Sequence, residues 1–261
     1  MIHFTVRDGV APESIFFVHG NLCSARFWEP TLDALQSALP KGTGKFIAVS
    51  YPGCGQSSAP QGQSEIQIEV LADQFLEVIE KNDLAPCHIV GHSAGGLIAA
   101  VMMAKRPELF KKGVLLDPVG AKGVSFNDVM LPTFEAMKVD KDLTATIIGS
   151  TIYNNNPDSD FFKNIVVEDA FSAVKNVGSW ILQALDGVDF TSLVKQIEKP
   201  VLVLHGEHDN LLPMKDSEDL AKLISSASFE VISGQGHCCN VENPNIFAGK
   251  LKDFLVIPNL V

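Results

Sequence analysis

Basic residues are scarce in this chain of 261 residues: Lys and Arg number 20 against 31 Asp and Glu, for a formal net charge of −11. No Lys/Arg cluster exists to neutralise phosphates, which excludes a nucleic-acid partner and argues against an anionic membrane surface. Long apolar runs are missing too, and no window approaches the ~20 apolar residues that a membrane span needs. The first residues, Met1-Ile2-His3-Phe4-Thr5-Val6-Arg7-Asp8, alternate apolar and polar as a strand does, without the basic and long apolar regions of a signal peptide. Cysteine is sparse: Cys23, Cys54, Cys87, Cys238 and Cys239 are odd in number, with two adjacent, and suggest no disulfide framework. The expectation is a cytoplasmic protein with reduced thiols. No Cys/His group has ligand spacing with a second matching pair, so neither a metal nor a cofactor is expected.

What is present is enough apolar material, 46% of the residues, to bury one large core. Short runs end mostly in Gly, Pro or Asp and read as strands: Ile15 to Val18, Phe46 to Ser50, His88 to Val90, Val114 to Leu116, Val201 to Leu204 and Phe229 to Ile232. Their near-continuous hydrophobicity fits a mainly parallel sheet covered on both faces. Helical patterns lie between them, at Phe27 to Leu39, Glu65 to Asn82, Leu97 to Arg106, Asp216 to Ile224 and Asn245 to Leu255. The alternation predicts an α/β fold with a mostly parallel, doubly wound sheet. It breaks between Val119 and Lys199, where Asp128 to Lys138, Lys141 to Ile148, Glu168 to Asn176 and Ser179 to Leu185 lean towards helix. The expected division is therefore a core at residues 1–118, a helical cap at 119–199 and a second part of the core at 200–261. Such a cap would sit over the C-terminal edge of the sheet, where open α/β sheets place their ligands.

Residues 89 to 96 read Ile-Val-Gly91-His92-Ser93-Ala94-Gly95-Gly96, an apolar run that ends in Gly-x-Ser-x-Gly and passes into a helical stretch. A serine at the apex of a tight strand-to-helix turn presses its −2 and +2 neighbours against backbone, where only glycine fits. A hydroxyl is a poor nucleophile until a base takes its proton, and the base needs a third group to fix its tautomer. Downstream, Asp209 follows the run Val201-Leu202-Val203-Leu204, and His237 follows Val231-Ile232. Parallel strands would deliver both loops to the sheet edge that carries Ser93.

With these residues the sequence resembles the α/β-hydrolase superfamily over nearly all of the chain outside the cap. The likeness lies in His19-Gly20-Asn21, in Tyr51-Pro52-Gly53-Cys54-Gly55-Gln56-Ser57, in the Ser93 turn, in Gly206-Glu207-His208-Asp209 with Pro213, and in Gly236-His237 followed by Glu242-Asn243-Pro244. The resemblance implies Ser93 as nucleophile, His237 as base and Asp209 as orienting acid, with backbone N–H groups of Asn21 and Ala94 as the oxyanion hole. Leu22 is the second choice for the first donor. Only about a dozen residues precede Ile15, room for one strand where the full family pattern has two. Asp117 also follows a strand and is the alternative acid. His19 reads as a loop-shaping residue, His88, His205 and His208 as structural, and His3 as a surface residue.

His19-Gly20-Asn21 with Trp28 further on is similar to haloalkane dehalogenases, where the matching Asn and a Trp hold the halide. That chemistry needs a carboxylate nucleophile where Ser93 stands, and epoxide hydrolysis is disfavoured for the same reason. Leu22, His92 and Trp28 are the expected substrate contacts. The cap supplies Phe126, Met130, Phe134, Met137, Phe161, Phe162, Phe171 and Trp180 for an apolar pocket, although such stripes are more often packing. The expected function is hydrolysis of carboxylic esters or lactones of small to medium, largely apolar type, by a monomer or homodimer. A carbon–carbon bond hydrolase, a lyase, or a ligand sensor that retains the triad keeps the same residues and stands as the alternative.

Overall fold

The computed structural model describes residues 1–11, 13–125 and 130–255. In chain order the elements begin β1 (Phe4–Ala11), β2 (Ile15–Val18), α1 (Glu29–Ala38), β3 (Gly44–Val49), α2 (Ile68–Lys81), β4 (Cys87–His92), α3 (Ala94–Lys105) and β5 (Phe110–Leu116). Five helices follow: α4 (Met130–Met137), α5 (Lys141–Ser150), α6 (Val167–Val177), α7 (Trp180–Leu185) and α8 (Thr191–Val194). The chain then returns to the sheet with β6 (Val201–Gly206), α9 (Met214–Leu223), β7 (Ala227–Ile232), α10 (Cys239–Glu242) and α11 (Pro244–Leu255).

The seven strands form one sheet in the order β1-β3-β2-β4-β5-β6-β7. Only β1 runs antiparallel, pairing with β3 from Phe4 opposite Val49 to Asp8 opposite Lys45. The short N-terminal segment thus supplies a single edge strand. Along the inner strands alternate side chains enter two separate cores, as period-two geometry demands. Phe16, Val18, Ile47, Val49, Ile89 and Leu115 face the core shared with α2 and α3. Ile15, Phe17, Phe46, Ala48, Val90 and Val114 face the one shared with α1 and α11. Both faces are covered, which is why these strands read as unbroken apolar runs.

Helix boundaries differ from the periodicity reading where proline or tight turns intervene. The run from Phe27 splits into a 3₁₀ turn at Ala25–Trp28 and α1, with Pro30 in its first turn. In the cap, the stretch expected to turn helical at Asp128 is described only from Met130, because 126–129, Phe126 included, lie outside the described residues. The cap is tied down by polar contacts. Asp169 of α6 accepts a hydrogen bond from Ser24 Oγ at 2.5 Å and pairs with the Arg26 guanidinium, and Asn176 Nδ2 donates to Gly53 O at 2.9 Å. No described helix is long and apolar enough to cross a membrane.

Candidate active site

Strand β4 ends in a turn that holds Ser93 at φ 56° and ψ −124°, a conformation that costs a non-glycine residue of order 1–3 kcal/mol. Its neighbours explain how the turn survives. A Cβ on Gly91 would meet Gly95 O at 2.3 Å, and one on Gly95 would meet His19 O at 2.3 Å. Ser93 N–H donates to Leu116 O at 3.0 Å, and Ser93 O accepts from Gly96 N–H at 2.8 Å and Val119 N–H at 3.1 Å. The strained residue is thereby over-determined by β5 and the start of α3.

The loops after β6 and β7 bring the other two expected residues together. His237 Nδ1–H donates to Asp209 Oδ2 at 2.8 Å, with the histidine side chain 4% exposed and the carboxylate fully buried. This fixes the tautomer, so Nε2 is left as the proton acceptor. Asp209 Oδ1 also accepts from Leu211 N–H at 2.7 Å and Leu212 N–H at 3.1 Å. Burial raises the pKa of Asp209, but the hydrogen bond and charge of His237 and these two N–H groups outweigh it and leave the carboxylate below its usual range. Ser93 and His237 face the same cavity and make no direct hydrogen bond to each other. Catalytic contacts of this type commonly tighten only when substrate is bound.

Asp117, the alternative acid, lies elsewhere in the cluster. Its Oδ1 accepts from Gly206 N–H at 2.7 Å and lies 3.4 Å from His205 Nδ1, while its buried Oδ2 has no partner. Burial, with the neighbouring charge of Asp209, pushes this carboxyl well above the usual range. Among the described residues Asp117, His205 and Asp209 are the group whose ligand atoms converge to within 4.8 Å. Within this group Asp209 Oδ2 accepts from His237 Nδ1–H, and His205 Nδ1 is hydrogen-bonded to Ser217 Oγ at 2.9 Å.

The glycine-histidine loop after β2 is shaped by backbone contacts. His19 Nδ1–H donates to Gly20 O at 2.7 Å, its Nε2 accepts from Tyr51 N–H at 3.2 Å, and burial lowers its pKa to about 4. It is a neutral scaffold residue. Leu22 sits at φ 56°, and its N–H donates to Asn21 Oδ1 at 2.9 Å. Leu22 N–H is therefore committed within the loop, whereas the Asn21 and Ala94 N–H groups have no acceptor among the described residues. Asn21, Leu22 and Ala94 all line the cavity beside Ser93.

His92 lines the cavity as well but is chiefly a support. Its Nε2–H donates to His237 O at 2.9 Å, its ring stacks on Phe27 at 5.8 Å, and burial, then the nearby His237, lower its pKa to about 3. Trp28 is a correction to the sequence reading. It is fully buried in the opposite core, 5.2 Å from the Phe17 ring and 6.2 Å from the Phe247 ring, and does not reach the cavity. The 3₁₀ turn that precedes α1 points Trp28 beneath the sheet and leaves Phe27 on the cavity side.

The cavity measures about 440 Å³. Of the cap residues expected there, Met130 and Phe134 contribute, joined by Ile147, Ile148, Leu182 and Leu185. Met137, Phe161, Phe162, Phe171 and Trp180 belong instead to the continuous core that the inserted helices share with the sheet, α2 and α3. No Lys or Arg is among the described lining residues, and Asp216 is the one carboxylate there.

The sequence profile of the alpha/beta hydrolase family matches residues 15–250. The chain belongs to the alpha/beta hydrolase family. A RutD protein of Agrobacterium fabrum, whose name designates a carbamate hydrolase, is 26% identical, the match covering 98% of each chain. The 2-hydroxymuconate semialdehyde hydrolase of Pseudomonas sp. strain CF600 is 24% identical over 97% of this chain and 90% of its own. Among solved structures, the esterase from Exiguobacterium antarcticum shares the fold with a TM-score of 0.82 at 19% identity, covering 97% of this chain and 94% of that one. In this alpha/beta hydrolase the strand order, the turn at Ser93 and the loops after β6 and β7 converge on one sheet edge.

One residue, named in the sequence only as part of the motif after His237, has a role that the sequence did not show. Glu242 Oε1 accepts from Tyr153 N–H and from Cys238 N–H, each at 2.9 Å, and Oε2 accepts from Gly236 N–H at 2.6 Å. It clamps both flanks of His237 and ties them to the end of α5. The five-residue spacing from His237 to Glu242 is visible in the sequence, but nothing local indicates that the carboxylate folds back on the loop.

Proposed function

We propose that this alpha/beta hydrolase cleaves carboxylic esters of largely apolar acyl groups through Ser93, His237 and Asp209. The observation that carries the reading is the His237–Asp209 hydrogen bond at 2.8 Å, opening on the cavity that Ser93 shares. Ser93 Oγ attacks the ester carbonyl as His237 Nε2 takes its proton, and Asp209 stabilises the imidazolium. The unpartnered N–H groups of Asn21 and Ala94 receive the oxyanion at the positive end of α3. The alcohol leaves with the proton from His237, and water, activated by the same ring, releases the acid.

The apolar walls favour a neutral, hydrocarbon-rich acyl group. They also weigh against carbon–carbon bond cleavage of carboxylate-bearing substrates, since no cation among the described lining residues is there to pair with the substrate carboxylate. The test is Ser93→Ala, which is expected to lower p-nitrophenyl butyrate turnover by on the order of 10³-fold or more while the protein stays folded. Retained turnover overturns the assignment. Labelling of Ser93 by a fluorophosphonate, with negligible turnover across a panel of esters and lactones, assigns a ligand sensor instead.

A further inference from the structure

His237 borders a second space. Beside the apolar cavity lies a recess of about 210 Å³, and the two share Thr151, Leu211 and His237 as a common wall, whereas Ser93 lines only the larger. The remaining lining of the recess, Ser150, Tyr153, His208 and Asn210, is polar or amphipathic. The hydroxyls of Ser150 and Thr151 donate to Ile147 O at 2.7 Å and Ile148 O at 2.8 Å, which leaves their oxygens able to accept. The Tyr153 hydroxyl, the His208 ring nitrogens and the Asn210 amide make no hydrogen bond among the described residues, and the Tyr153 and His208 rings stand 4.6 Å apart. Tyr153 is held by Glu242, the same carboxylate that clamps the His237 loop. The recess is thus joined to the base through Glu242 and carries uncommitted donors and acceptors.

Resting on the ester-hydrolase reading above, chemistry assigns a side to each space. In acylation the Ser93 Oγ–carbonyl bond forms, the bond from carbonyl carbon to the alcohol oxygen breaks, and the proton taken from Ser93 passes from His237 to that oxygen. The departing oxygen therefore lies on the His237 side, and what is attached to it extends away from the acyl group. We propose that the recess is the leaving-alcohol subsite and that it takes a small polyhydroxylated alcohol of the glycerol class, while the apolar cavity takes the acyl chain. A short alcohol fits the volume, and its hydroxyls meet Tyr153, His208 and Asn210.

The experiment compares 1-glyceryl butyrate with n-propyl butyrate, which form the same butyryl-enzyme, so that kcat/KM differs only through steps up to acylation. The wild-type protein is expected to prefer the glyceryl ester. Tyr153→Phe and Asn210→Ala, made separately, each lower the glyceryl-to-propyl ratio of kcat/KM by about threefold to tenfold, the worth of one hydrogen bond to substrate. A wild-type ratio at or below one, or a ratio that neither variant changes, overturns the subsite and leaves the esterase reading standing. Turnover that persists in Ser93→Ala, or no turnover of either ester, overturns the esterase reading and the subsite with it.

Discussion

At the level of single residues, the site contains two buried carboxyls a short distance apart that differ in what they touch. Asp209 accepts hydrogen bonds from His237 Nδ1–H and two backbone N–H groups, and its pKa is lowered; Asp117 has an orphaned oxygen and its pKa is raised. Two acids beside each other are pushed apart in this way because only one charge can be paired. The engaged oxygen of Asp117 holds Gly206 N–H rather than His237, so Asp117→Asn leaves the His237–Asp209 hydrogen bond in place. That variant is expected to keep kcat within about tenfold, whereas Asp209→Asn loses the tautomer control of His237 and lowers kcat by on the order of 10⁴. Steady-state kinetics on both variants decide the matter, and the reverse ranking would make Asp117 the acid. The identity of the acid was open in the sequence because both residues follow strands of the same sheet.

Among the elements, the loop between β7 and α10 is anchored from two sides. His92 holds it from β4, and Glu242 of α10 holds it by two backbone N–H groups, those of Gly236 and Cys238, and ties it to a third, that of Tyr153. Glu242→Gln keeps the shape but turns an amide NH₂ towards one of those donors. It is expected to cost about 1–3 kcal/mol of stability, read by urea unfolding, together with a fall in kcat as the His237 ring loses its fixed orientation. Unchanged stability and kcat would show that the clamp is dispensable. The cap joins the core through a different contact, the α6 carboxylate of Asp169 against Ser24 and Arg26, which lies beside the Asn21 loop. Helical periodicity found most cap helices. It could not find this latch, whose partners are 145 and 143 residues apart.

For the molecule as a whole, burial of histidines governs the acid response. His19 and His92 have pKa values lowered to about 4 and about 3, and those of His88 and His205 are lowered too, burial being the largest cause in each. A folded-state pKa below the unfolded value of ~6.5 means that the unfolded chain binds more protons, so this stability is full above that pH and is lost as pH falls towards the folded values. Asp117 and Asp216, whose pKa values are raised, act in the opposite sense, favouring the fold at low pH and losing that contribution as pH rises. The four histidines outnumber the two acids. The urea midpoint is therefore expected to fall steadily from pH 6.5 to pH 4.5; a constant or rising midpoint contradicts the burial of neutral imidazoles.

What the sequence determined by itself was whatever depends on near neighbours and on order along the chain. The double-sided strands at Ile15, Phe46, Ile89, Val114 and Val201 follow from runs of apolar residues, and the Ser93 turn follows from Gly91 and Gly95, where a Cβ would come within 2.3 Å of a backbone oxygen. The tertiary structure alone decided which side chains meet across the fold. Trp28 and Phe27 are adjacent, yet one enters the lower core and the other the cavity, because a single 3₁₀ turn rotates them apart. Likewise the pairing of His237 with Asp209 rather than Asp117, and the return of Glu242 onto its own loop, are set by where parallel strands end in space. Distances of that kind are properties of packing, and no local propensity encodes them.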